Sequence, residues 1–190
     1  MKRLLNSRLA LVLMCSLAAP VAIAAEADLN VNNNAARLTV EVPVDSNNLL
    51  FDGSWLHSNN GDAVSVAGHV TGKALSGPGP LKAGIGLRLS YVSYDDVTDE
   101  DGVNLGIGGF VRYTLPKYDR FLLGSSLYYA PNVLSFGDTK RYLDFTAWAG
   151  YAVIPNADIY AGWRKAQGKF DEAGSKNIDS GWLIGVRARF

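Results

Sequence analysis

Apolar and polar residues alternate with a period of two along most of this chain, the spacing at which successive side chains of an extended strand point to opposite faces. From Pro80 to Tyr94, Leu81, Ala83, Ile85, Leu87, Leu89 and Tyr91 share one face, and Lys82, Gly84, Gly86, Arg88 and Ser90 share the other. Val103, Leu105, Ile107, Val111 and Tyr113 alternate in the same way with Asn104, Gly106, Gly108 and Arg112. Phe121, Leu123, Leu127 and Tyr129 oppose Gly124, Ser126 and Tyr128, and Leu143, Phe145, Ala147, Ala149 and Tyr151 oppose Asp144, Thr146, Trp148 and Gly150. Leu49 to His57, Ala63 to Ala74, Ala157 to Arg164 and Gly181 to Phe190 bring the count to eight strands from Leu49 onward. No run after Glu26 has apolar residues at helical spacing, so the pattern predicts an all-β chain.

The polar face separates the all-β architectures. A soluble sandwich buries its apolar faces and exposes the charged ones. Here the opposite face mixes glycine, tyrosine and charge, which suits a narrow lumen filled by side chains while the apolar face meets lipid. Connections alternate in length: Gly77-Pro78-Gly79-Pro80, Leu115 to Asp119 and Ile154 to Asn156 are short, whereas Asp95 to Gly102, Pro131 to Lys140 and Lys165 to Ser180 are longer and more polar. Short turns belong in the periplasm and long loops outside.

Parity constrains the remainder. Arg37 to Val44 adds a descending strand, with Leu38, Val40, Val42 and Val44 against Arg37, Thr39 and Glu41. An even strand number then requires the weaker alternation of Ala27 to Asn33 to ascend first. The expectation is an antiparallel transmembrane β-barrel of about ten strands, with a frayed first strand. The alternative is eight strands, with the N-terminal segment folded into the lumen or the periplasm.

Lys2, Arg3 and Arg8 flank the apolar run Leu9 to Leu17, and Ala22-Ile23-Ala24 offers small residues where a signal peptidase reads. Residues 1–24 read as a cleaved signal peptide and 25–190 as a single barrel domain. The apolar run falls short of the roughly 20 residues of a spanning helix. Met14 stands before Cys15, where a lipidation motif has a small residue, so Cys15 reads as filler of the signal core. The mature chain has no cysteine and hence no disulfide. Without the three basic residues of the leader it carries 15 basic against 18 acidic residues, a formal charge of −3. No basic tract remains to suit nucleic acid.

In the terminal strand, Trp182, Ile184, Val186, Ala188 and Phe190 share a face opposite Gly181, Gly185, Arg187 and Arg189. It resembles the C-terminal signature strand of Gram-negative outer-membrane barrels. That resemblance implies an outer-membrane location and recognition of Phe190 by the barrel-assembly machinery.

The candidate chemistry is sparse. Two histidines and no mature cysteine argue against a transition-metal site, and no cofactor is expected. His57 near Ser54 and Ser58 offers half of a hydrolytic triad, with no acid partner identified, while His69 falls on the polar face. Asp95, Asp96, Asp99, Glu100 and Asp101 crowd one loop, but Glu100 stands where a calcium loop requires glycine. The lumen face is expected to hold Arg37, Glu41, Asp52, Lys73, Lys82, Arg88, Arg112, Asp144, Arg164, Arg187 and Arg189, eight basic residues to three acidic. Tyr94, Tyr128, Tyr142, Trp148 and Tyr160 share that face.

The order of Gly53-Ser54-Trp55-Leu56-His57-Ser58-Asn59-Asn60-Gly61-Asp62, Gly79-Pro80-Leu81, Leu127-Tyr128-Tyr129-Ala130-Pro131 and Gly185-Val186-Arg187-Ala188-Arg189-Phe190 resembles the YfaZ family of predicted outer-membrane proteins over most of the mature chain. The resemblance implies an outer-membrane β-barrel and transfers no catalytic residue. The expected function is a structural or interaction barrel with a largely side-chain-filled lumen, among outer-membrane lipid and lipopolysaccharide. A narrow anion-preferring porin-like channel and an outer-membrane lipid-modifying enzyme stand as alternatives.

Overall fold

The computed structural model describes residues 25–44, 48–72, 81–94, 100–171 and 174–190. The expected signal peptide at residues 1–24, Lys73, the expected turn Gly77-Pro78-Gly79-Pro80 and the acidic positions Asp95, Asp96 and Asp99 lie outside the described residues.

The alternating segments form strands β1 (Glu26–Val31), β2 (Ala35–Val44), β3 (Leu49–Ser58), β4 (Gly61–Thr71), β5 (Leu81–Tyr94), β6 (Glu100–Leu115), β7 (Tyr118–Ala130), β8 (Ser135–Gly137), β9 (Thr139–Ile154), β10 (Ala157–Phe170) and β11 (Ser175–Arg189). Neighbours pair antiparallel, and the β1–β11 and β5–β6 ladders close β1 to β7 with β9 to β11 into a ring of ten. Closure leaves no ring strand with an open edge, which a chain in lipid requires because no water is there to satisfy the backbone. β8 stands outside the ring: a 3-10 turn, Asn132–Leu134, leads the chain from β7 to this short strand, which pairs with the outer part of β6.

Ten strands with a short first one is the expected architecture, and β1 is what excludes the eight-strand alternative. Leu29 pairs with Leu38 on one side and with Val186 on the other. At six residues, β1 is shorter than the roughly 9–11 of a typical spanning strand, but its inward Asp28 and Asn30 are both buried in side-chain hydrogen bonds.

The outward face is apolar and uncovered. Ile85 is 76% exposed, Leu87 50% and Trp182 79%, values that in water would amount to a very large apolar patch. The inward face of the same strands buries Arg88, Ser90, Asp144 and Arg187. The barrel is therefore built inside out relative to a soluble protein. Inward glycines make room for large neighbours: a Cβ on Gly124 would lie 2.4 Å from the indole of Trp148, and one on Gly185 2.3 Å from the phenol ring of Tyr160.

Several strands outrun the bilayer. β6 and β9 have 16 residues and β11 has 15, against the roughly 9–11 that cross the hydrocarbon. The expected loop Lys165 to Ser180 belongs largely to β10 and β11, which pair as far as Lys169 and Ser175, and Glu100 and Asp101 belong to β6 rather than to a loop. The opposite end of the barrel carries the two-residue turns 116–117 and 155–156 together with Ala25 and Phe190, and is the periplasmic end.

Leu87→Arg places a charge midway along β5, and in denaturant titrations of the barrel folded into lipid vesicles it is expected to cost about 2–4 kcal/mol, against about 0–1 for Tyr118→Arg at the periplasmic rim. Equal costs at the two depths would mean that the outer surface faces water.

Candidate functional site

The interior is stacked in three levels, each held by residues that neighbouring strands present at the same height. At the outer end Leu56, Val92, Tyr94, Tyr142, Phe170 and Ile178 belong to one buried apolar cluster, and Tyr94 stacks on Phe170 with ring centroids 5.6 Å apart. This lid was not anticipated. Its signal was present in the alternation, because Leu56 is in phase with Ser54 and Asp52, and Val92 with Ser90 and Arg88.

Below the lid, Asp144 of β9 accepts hydrogen bonds of 3.1 Å from Arg37 of β2 and 3.2 Å from Arg88 of β5. Arg88 also donates to Asp52 at 3.3 Å, and its guanidinium lies 3.8 Å from the centre of the Tyr128 ring. His69, 2% exposed, hydrogen-bonds the Tyr128 hydroxyl, faces Asp52 at 3.5 Å and packs edge-on against Phe110. On the adjoining wall Arg164 donates to Asp179 at 2.5 Å and to Asn30.

Toward the periplasm, Arg187 pairs with Asp28 at 3.1 Å and Glu26 at 3.0 Å and lies over the ring of Trp148 at 4.3 Å. Tyr160 donates to Asp28 at 2.6 Å. Arg189 pairs with Asp158, and Arg112 pairs with Glu26 at 2.7 Å and with Glu41. β6 and β1 stand on opposite walls of the ring, so the Arg112–Glu26 pair spans the lumen. Between the middle and lower levels remains a cavity of about 90 Å³ lined by Asp28, Arg37, Asp52, Arg88, Tyr128 and Trp148 among others. A wider vestibule of about 540 Å³, beside Lys82, Arg112, Arg120 and Arg189, opens at the periplasmic end.

The structure thus brings Arg88, Arg112, Asp144, Arg164, Arg187 and Arg189 into the interior in two connected groups: Arg88 meets Asp144, while Arg164, Arg187, Arg112 and Arg189 are linked through Asn30, Asp28 and Glu26. The expected eight-to-three excess of positive charge does not hold. Glu26, Asp28, Asp158 and Asp179 join Glu41, Asp52 and Asp144, and among the described residues these seven acids, apart from the separately buried Glu100, face seven bases: Arg37, Lys82, Arg88, Arg112, Arg164, Arg187 and Arg189. The acids were missed because Glu26 and Asp28 sit on the weakly patterned β1, Asp158 opens β10, and Asp179 lay in a segment read as a loop.

Other candidates separate. His57 points outward to Asp62 at 2.8 Å, whereas Ser54 and Ser58 are buried on the inner face, so no triad forms. Glu100 is buried, and Asp101 accepts a hydrogen bond from the Tyr91 hydroxyl at 3.1 Å. Among the described residues no three His, Asp or Glu side chains gather as metal ligands. Phe190 is 77% exposed on the outer face, and its backbone N–H donates to the Ala25 carbonyl at 2.9 Å.

Asp144→Asn removes the carboxylate shared by Arg37 and Arg88 and leaves two buried cations short of a counter-charge. It is expected to cost about 3–5 kcal/mol in denaturant unfolding, whereas Asp171→Asn, which breaks the surface pair with Lys140, should cost less than about 1 kcal/mol.

The sequence profile of the YfaZ precursor family matches residues 2–190. No curated protein matches the chain. Among solved structures, the KdgM porin is 14% identical over 88% of this chain and 99% of its own, with a TM-score of 0.47. Neisserial surface protein A is 19% identical over 88% and 94%, with a TM-score of 0.38. The outer-membrane channel DcaP of Acinetobacter baumannii is 13% identical over 86% and 54%, with a TM-score of 0.42. Nothing about substrates passes from these proteins to this one; the fold rests on the closed ring and its apolar exterior. The family match runs through every strand of that ring, and this chain belongs to the YfaZ precursor family as an outer-membrane β-barrel.

Proposed function

We propose that this protein is a structural or interaction barrel whose lumen is shut, acting through its surfaces rather than by conduction. The observation that carries the reading is the stack itself: an apolar lid at the outer end lies over ion pairs that cross from wall to wall. An ion entering from the periplasmic vestibule would have to part Arg112 from Glu26 and Glu41, then Arg88 from Asp144, and finally cross a dry layer of Tyr94, Tyr142 and Phe170. Each of those steps separates or strands a buried charge. Against the anion-preferring alternative stands the facing of seven bases by seven acids in the ion pairs of the described residues, and against the lipid-modifying one the separation of outward His57 from inward Ser54 and Ser58.

Reconstitution in planar bilayers tests this reading. Silent membranes are expected at voltages where open barrels conduct, and large stable current steps would overturn it.

The outward Phe190 supports the further proposal that the barrel-assembly machinery reads this end of β11. Deleting Phe190 should lower the yield of heat-modifiable barrel in outer-membrane fractions well below that of Arg189→Lys, which keeps a cation beside Asp158 and Glu26. Equal yields of the two variants would remove Phe190 from that role.

A further inference from the structure

Three cations occupy one small area of the outer surface, just above the apolar belt. Trp163 of β10 and Trp182 of β11 are direct cross-strand partners, and Phe145 of β9 packs on Trp163 with ring centroids 6.0 Å apart. Lys165 and Lys169 follow Trp163 by two and six residues on the same strand, so they share its outward face. Lys165 pairs with Phe145 and Lys169 with Arg141. Arg141 and Lys169 therefore stand side by side with like charge, an arrangement that destabilises a sheet unless an anion lies between them. Among the described residues none of the three has an acidic partner. The nearby Lys140, by contrast, is paired with Asp171.

Directly beneath lies an apolar groove of about 500 Å³ floored by Ser125, Ala147 and Ala161 and walled by Leu123, Trp163 and Trp182. Small side chains dent the belt here while the aromatic pair stands at its upper edge. Cations at headgroup height, an aromatic rim and an acyl-wide trough below them form one continuous surface. A second copy of the chain is a poor occupant, because a two-fold contact would bring the same three cations against themselves.

We propose that Arg141, Lys165 and Lys169, with the groove under Trp163, form a binding site for a phosphorylated glycolipid of the outer leaflet. Its headgroup phosphates lie on the three cations, and one acyl chain lies in the groove. The proposal depends on the barrel's place in the outer membrane and not on the state of its lumen, so channel recordings and lipid binding can fail independently.

The test uses the folded full chain in phosphatidylcholine nanodiscs titrated with bis-phosphorylated lipid A, with bound lipid read by native mass spectrometry. The triple variant Arg141→Gln, Lys165→Gln, Lys169→Gln is expected to lose roughly tenfold or more in apparent affinity, and Lys140→Gln less than about twofold. Ala161→Leu, which fills the groove and leaves every cation in place, should also weaken binding; it keeps the test decisive if the triple variant fails to fold. Unchanged affinity in the triple variant, or in Ala161→Leu where the triple variant does not fold, would overturn the proposal. So would retention of phosphatidylglycerol equal to that of lipid A, or a dimer that forms in place of the lipid complex.

Discussion

A chain that crosses hydrocarbon must satisfy each of its backbone donors and acceptors from within, since lipid offers them nothing. In this protein that requirement is met by closure, and closure depends on the seam where the six-residue β1 joins β11. The ladder from Glu26–Arg189 to Val31–Ile184 turns an open sheet into a ring. Once the ring exists, two solvents are imposed on each strand, lipid outside and protein interior within. Every other regularity of the structure follows from that division.

Ten strands make a narrow ring, so side chains projecting inward reach the opposite wall. Burying this many charges without compensation would be prohibitive, and the interior compensates by giving cations more than one acid each: Arg88 meets Asp52 and Asp144, while Arg187 meets Asp28 and Glu26. Glycines at 124 and 185 make space for the indole and phenol rings over which Arg187 lies. An apolar cluster lies above these pairs, and in surroundings of low dielectric such pairs strengthen and cost more to break. The same packing holds the walls together.

The outer surface is ordered by height rather than by face. A belt of aliphatic residues gives way to Phe145, Trp163 and Trp182, then to Arg141, Lys165 and Lys169, in the sequence in which a lipid presents chain, interface and headgroup. Where the belt is dented by Ser125, Ala147 and Ala161 the cations stand directly above.

The alternation within the membrane settled most of the fold, because lipid on one side and packed polar groups on the other write a period of two into the residues themselves. Leu81 to Tyr91, Val103 to Tyr113, Leu143 to Tyr151, Ala157 to Arg164 and Gly181 to Phe190 could each be assigned faces from the sequence, and the inward placement of Arg88, Arg112, Asp144, Arg164, Arg187 and Arg189 came with those faces. Above the bilayer the rule reverses: water lies outside and an apolar lid inside, so Lys165, Gln167 and Lys169 point out while Ala166, Gly168 and Phe170 point in. A strand that changes phase in this way looks like a polar loop when read along the chain. Only the tertiary structure could decide which acid meets which base, because Arg37 and Asp144, or Arg112 and Glu26, are more than eighty residues apart and meet through the curvature of the ring. The balance of charge in the lumen and the cation cluster on its outer wall are properties of that curvature and of strand length, neither of which a local pattern encodes.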